Sequence, residues 1–248
     1  MVKLNGTVVI VGAGPGDPGL ITVRGLDYVK RADVVVYDRL IPKELLGHAR
    51  SNAELIYVGK EPGFHRYSQD DINRLLYRKA LEGKLVVRLK GGDPYTFGRG
   101  EEECMFLMER GIECRVVPGI PSYVGASAYA GIPLTSRGVS SSFAVITGRE
   151  AEGKQRSVDV EGLVGSADTL VILMGVSNLP AILDRIAGVV GWSRPAAVVA
   201  NATMRDQRTI VGDLRGVYRA WSMGEITNPA VIIVGDVVRL RSRLWRLA

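Results

Sequence analysis

The chain has 248 residues, 46% hydrophobic and 23% charged, ordinary globular proportions with enough core for one large domain or two smaller ones. No uncharged apolar run approaches the ~18 residues of a membrane span. The net charge of +6 points to anionic partners without saying which kind.

Short Val/Ile-rich runs recur along the first half: Thr7–Val11, Val34–Tyr37, Leu55–Val58, Leu85–Leu89 and Cys114–Val117. Turn residues bound most of them, and stretches of helical spacing lie between. Ile72, Leu75, Leu76 and Ala80 make the clearest stripe. Strands alternating with helices read as α/β with a largely parallel sheet. The second half repeats the theme with strands at Phe143–Thr147, Thr169–Met174, Ala196–Ala200, Arg208–Val211 and Ala230–Val234, and a helix at Leu179–Ile186. The polar, glycine-containing stretch 137–142 reads as a junction, and the charged loop 149–158 as exposed. The sequence therefore predicts two α/β domains, 1–136 and 137–248, with parallel or mixed sheets and a ligand cleft between them. Arg239, Arg241, Arg243 and Arg246, beside Leu240, Leu244 and Trp245, read as the solvated face of a terminal element.

Cys104 and Cys114 are ten residues apart and have no partner pair, and His48 and His65 have no further ligands nearby. No metal is expected, and the cysteines are expected to stay reduced as small apolar residues. The N-terminus enters a strand pattern directly, which predicts no signal peptide and a cytoplasmic protein.

The first strand runs into Gly12-Ala13-Gly14-Pro15-Gly16-Asp17. A dinucleotide fingerprint needs a glycine where Asp17 stands, and Pro15 removes an N–H that a pyrophosphate would use. The fourth strand ends in Gly91-Gly92-Asp93. Ligands of α/β sheets bind at that edge, and paired glycines let a ligand lie on bare backbone. S-adenosylmethionine carries an ammonium and a sulfonium but no phosphate, so it suits these turns better than a nucleotide. Asp93 can meet that cation or simply cap its own turn. Glu101 and Glu103 open a helix, where the macrodipole favours acidic residues. Arg99 and Glu102 are spaced to face the same way, and arginine suits carboxylate ligands. The small residues of 117–137 fit either close packing or a flat ligand.

Six motifs in order carry a more specific signal: Gly14-Pro15-Gly16-Asp17-Pro18, Tyr37-Asp38-Arg39-Leu40, Val58-Gly59-Lys60, the segment 88–100, Val117-Pro118-Gly119-Ile120 and Ala130-Gly131-Ile132-Pro133-Leu134-Thr135. Together they resemble the uroporphyrinogen-III C-methyltransferase branch of the tetrapyrrole methylase family, over nearly the whole chain. The resemblance implies a two-domain homodimer that binds S-adenosylmethionine, releases S-adenosylhomocysteine and methylates a polycarboxylate tetrapyrrole. It implies cofactor contacts at Pro15, Gly91, Gly92, Asp93, Pro121, Ser122, Met174, Ala202 and Ala230. Substrate handling falls to Arg99, Glu102 and Arg137. Two positions depart from the family pattern: Pro121 stands where it usually has Thr, and Ser136 where it has His. No fused further domain is expected.

The rival readings are methylation of a later corrin intermediate or of a modified histidine on an elongation factor. A non-catalytic nucleoside or nucleic-acid binder would need a basic stripe with interleaved aromatics, and aromatics are only 6% here. Neither nucleic acid nor membrane is expected as a partner.

Overall fold

The computed structural model describes residues 6–59, 67–150, 155 and 157–244. Lys60, His65, Trp245, Arg246 and part of the loop 149–158 lie outside the described residues. The chain divides into two units, residues 1–122 and 123–248.

In the first unit, the β-branched runs form β1 (Thr7–Gly12), β2 (Val34–Tyr37), β3 (Glu54–Tyr57), β4 (Leu85–Lys90) and β5 (Glu113–Val117). Between them lie α1 (Val23–Arg31), α2 (Gln69–Leu81) and α3 (Gly100–Met108). Thr22 caps α1, and a Ser68–Asp71 capping box starts α2. The stripe Ile72, Leu75, Leu76 and Ala80 is buried as its spacing requires. The sheet order is β3-β2-β4-β1-β5, and every pairing is parallel. Apolar clusters cover both faces, as an all-parallel sheet requires. The connections from adjacent β1 and β4 leave in opposite directions, toward β2 and β5. This is a topological switch point, where an α/β sheet opens a crevice at its strands' carboxyl ends.

The second unit contains α4 (Ser122–Ala130) apart from its first residue. Then follow β6 (Phe143–Thr147), α5 (Val160–Ser166), β7 (Thr169–Leu173), α6 (Leu179–Val190), β8 (Pro195–Ala200), β9 (Arg208–Asp213), α7 (Leu214–Ser222), β10 (Ala230–Gly235) and α8 (Arg241–Leu244). The order is β6-β7-β10-β8-β9. Only β6 and β7 pair in parallel; the other three pairings are antiparallel.

Two expectations are corrected. The boundary drawn at 136/137 lies at 122/123. Ala126, Ala130 and Ile132 pack with Val171, Val199, Val231 and Ile233 of the second sheet, so α4 belongs to that core. The stretch 137–142 is accordingly no junction. Residues 137–139 form a tight turn closed by reciprocal backbone bonds between Ser136 and Ser140, and the Ser141 and Ser142 N–H groups donate to Asp168. The cysteines are not a reduced pair but a disulfide. The short turn from α3 into β5 brings their Cα atoms to 5.5 Å, inside the bridging range.

Asp33 fastens the start of β4 to that of β2. Its Oδ2 accepts the Leu85 N–H at 2.8 Å, and its Oδ1 pairs with Arg50. The Leu85 N–H, and then Arg50, hold its carboxyl below the usual range against the effect of burial. Its stabilising contribution is therefore full above the unfolded carboxylate pKa of ~3.9 and fades as pH falls through the lower folded value. Urea melts at about pH 7 and about pH 3 check this: the stability gap between wild type and Asp33→Asn should be larger at the higher pH.

Candidate functional site

The carboxyl ends of β1, β4 and β5 lead into three turns that touch through bare backbone. Ala13 N–H donates to the Lys90 carbonyl at 2.7 Å. Gly14 and Gly92 exchange hydrogen bonds, 3.3 Å one way and 2.7 Å the other. Both adopt positive φ, +82° and +67°, which is why glycine occupies them. Gly119 closes the group, since a Cβ there would stand 2.2 Å from the Gly92 oxygen and 2.8 Å from Gly12 Cα. Pro15, Gly91, Gly92, Asp93, Pro121 and Ser122 thus collect around one edge of one sheet. The Cα of Pro121 and the N of Ser122 lie just under 4 Å from where a Gly92 Cβ would sit.

Asp93 is spent inside the turn. Its Oδ1 accepts Tyr95 N–H and Thr96 Oγ1–H, each at 3.0 Å, and its Oδ2 accepts Gly119 N–H at 3.1 Å. Its first task is to lock two of the turns together. The N–H groups of Ala13, Gly14, Gly92 and Gly119 are all engaged within the protein, while Pro15, Pro118 and Pro121 have none. A phosphate cradle needs such N–H groups pointing outward. With these four engaged, the glycine turns offer a ligand close approach to bare backbone more than a ring of donors, which fits a cation-bearing, phosphate-free ligand.

Arg99 occupies the N-cap position of α3 at φ +59°, two residues after Phe97 at +55°. Left-handed backbone at two side-chain-bearing residues is strained, and such strain clusters at ligand sites. Arg99 Nε and Nη2 clasp the Glu102 carboxylate at 2.8 and 2.7 Å. The pair holds the Glu102 carboxyl below its ordinary value and raises Arg99, so both stay charged near neutrality. Among the described residues Nη1 has no partner, and the side chain is 55% exposed. That leaves one edge of the guanidinium for an external carboxylate.

In the second unit, Met174 follows β7, Ala202 lies just beyond β8, and Ala230 begins β10. The antiparallel register puts all three at one edge of that sheet, where Asn201 N–H bonds the Pro229 carbonyl at 2.9 Å. Met174 has φ +53° and is 48% exposed. An apolar side chain held outward on left-handed backbone is not core packing, the ordinary use of a lone methionine. Arg137 is exposed at the tip of the Ser136–Ser140 turn.

The sequence reading missed one group at this edge. Arg88, Lys90 and Glu103 are buried, and Glu103 had been assigned to the helix dipole alone. Instead it accepts Lys90 Nζ at 2.9 Å and Arg88 Nε at 3.3 Å, while Arg88 also reaches Asp38 at 3.2 Å. The available signal was Arg88 and Lys90 alternating within a strand otherwise made of Val and Leu. Two same-face cations in a buried strand demand an anion.

The family model for Tetrapyrrole (Corrin/Porphyrin) Methylases matches residues 7–217. The chain belongs to the tetrapyrrole methylase family. It is 49% identical over 240 residues to a uroporphyrinogen-III C-methyltransferase of Methanocaldococcus jannaschii, covering 96% of this chain and 98% of that protein. A second uroporphyrinogen-III C-methyltransferase, from Priestia megaterium, is 47% identical over 234 residues, 94% and 98% of the two chains. Among solved structures, the Thermus thermophilus uroporphyrin-III C-methyl transferase complexed with S-adenyl homocysteine superposes with a TM-score of 0.79. It is 36% identical and covers 95% of this chain and 94% of that one. The two-sheet fold with its mixed second sheet is that of tetrapyrrole methylases.

Proposed function

We propose that the protein transfers methyl groups from S-adenosylmethionine to C2 and C7 of uroporphyrinogen III, giving precorrin-2 by way of precorrin-1. One structural observation carries the cofactor half of the reading. At the switch point Gly14 and Gly92 spend their N–H groups on each other, Ala13 donates to Lys90 and Gly119 to Asp93, so the turns suit a phosphate-free cofactor. The full-length uroporphyrinogen-III C-methyltransferase relatives support the choice of acceptor.

Bound S-adenosylmethionine supplies a methyl group on a sulfonium. The protein's part is to hold donor and acceptor in line and to exclude water, because an electron-rich pyrrole carbon attacks without an enzyme nucleophile. The Pro15, Gly91–Asp93 and Pro121–Ser122 turns contact the cofactor in this reading; Met174, Ala202 and Ala230 are contacts that the family resemblance alone implies. The clasp to Glu102 fixes the Arg99 guanidinium, and its open edge binds a substrate carboxylate. Arg137 takes another. Arginine stays charged at neutral pH, so Arg99 orients the substrate, and water or a substrate carboxylate takes the proton released after each transfer. The charge of +6 steers the polyanion toward the protein. Following the family resemblance, we infer that the enzyme is a homodimer.

Calorimetric titration with S-adenosylhomocysteine tests the cofactor half. Saturable binding is expected, and heats no larger than dilution would contradict it.

A further inference from the structure

A cluster of buried charges sits at the end of β4, next to the glycine turn. Arg88 is 3% exposed, Lys90 5% and Glu103 0%. Glu103 Oε1 accepts from Lys90 Nζ, Arg88 Nε and Gln69 Nε2, the last at 3.2 Å, while buried Oε2 has no hydrogen bond. Three donors on one oxygen and none on the other make a poor stabilising device. Well-packed apolar residues in place of a buried ion pair are often as stable or more so. Burial, and then the Arg88 guanidinium, push the Lys90 ammonium below its ordinary value, and Glu103 opposes them.

The placement of these residues shows what the arrangement achieves. Lys90 is the last residue of β4 and directly precedes Gly91 and Gly92, which have no side chains with which to fix their own height. The turn is therefore pinned from its two flanks. Asp93 anchors the far side to Gly119. Lys90 anchors the near side, its carbonyl to Ala13 and its ammonium to Glu103. Glu103 in turn rides on α3, the helix whose first turn presents Arg99 and Glu102. One carboxylate thus links the helix bearing the proposed substrate arginine to the strand end bearing the proposed cofactor turn.

We infer that Glu103 is a positioning residue that sets α3 against the Lys90-Gly91-Gly92 turn, so that cofactor affinity and methyl transfer depend on its reach as well as its charge. This rests on the cofactor reading above. Three variants test it: Glu103→Asp keeps the charge and shortens the reach, Glu103→Gln keeps the shape and removes the charge, and Lys90→Met/Glu103→Leu removes both charges. The readouts are the melting temperature, the Kd for S-adenosylhomocysteine, and kcat and KM measured separately. Glu103→Asp should fold with a lowered melting temperature and bind S-adenosylhomocysteine about tenfold more weakly than wild type. The double variant should fold and show the same weakened binding with a lowered kcat. Wild-type affinity and kcat in any folded variant would overturn the inference. So would loss of the folded state in all three, which would assign the cluster to core stability. Failure of the wild type to bind S-adenosylhomocysteine would instead count against the cofactor reading.

Discussion

Gly119→Ala should abolish measurable binding of S-adenosylhomocysteine and lower the melting temperature. The added methyl would meet the Gly92 oxygen at 2.2 Å and the Gly12 Cα at 2.8 Å, both backbone atoms that no rotamer change can move. The ends of β1, β4 and β5 would have to separate, and the Gly119 N–H would be drawn off Asp93. Overpacking of a tight site costs about 1–3 kcal/mol. The functional loss should exceed that, because the displaced backbone is the proposed cofactor surface itself. Gly212→Ala is the control: its Cβ meets nothing within 4 Å and its φ is ordinary, so its stability and binding should stay near wild type. Calorimetry and thermal melts of both variants decide the matter. A Gly119→Ala protein with wild-type affinity would show that these turns do not form the site.

Arg99→Ala should lower kcat/KM for the tetrapyrrole by roughly 10- to 150-fold, the equivalent of about 1.5–3 kcal/mol for a charged hydrogen bond. The KM for S-adenosylmethionine should stay close to wild type. Arg99→Lys retains the cation but loses the planar fork that clasps Glu102 while offering a second edge, so it should raise KM for the tetrapyrrole and leave kcat nearly normal. Steady-state kinetics under anaerobic conditions separate the possibilities. A collapse of kcat with unchanged KM in Arg99→Lys would mean that Arg99 acts in the transition state alone, against a role in holding substrate.

Elements governed by local pattern were legible in the sequence. Every strand read from the sequence is present within a residue or two of its expected limits, the Val/Ile runs of β1, β2, β4, β7, β8 and β10 because they are buried on both faces of their sheets. The Ile72–Ala80 stripe was equally plain. What the sequence concealed depends on partners distant in the chain. Ala126 and Ala130 show no preference between sheets, and only the packed core reveals that α4 joins the second unit. The Cys104–Cys114 bridge follows from the turn between α3 and β5, which spacing alone does not specify. Glu103 looked like an ordinary helix-opening acid because its cations lie on another element. The cofactor turns were found through their glycines, yet the reason they suit a phosphate-free ligand, the Ala13, Gly14, Gly92 and Gly119 N–H groups already paired within the protein, is a property of three turns together.

Methylation of uroporphyrinogen III by this protein is tested most directly by mass spectrometry. Uroporphyrinogen III would be generated enzymatically, incubated anaerobically with the protein and S-adenosylmethionine, then oxidised and weighed. A gain of two methyl groups, with S-adenosylhomocysteine released in step, is the predicted result. An unmodified macrocycle from protein that binds S-adenosylhomocysteine would contradict it, moving the acceptor to a later corrin intermediate or a protein.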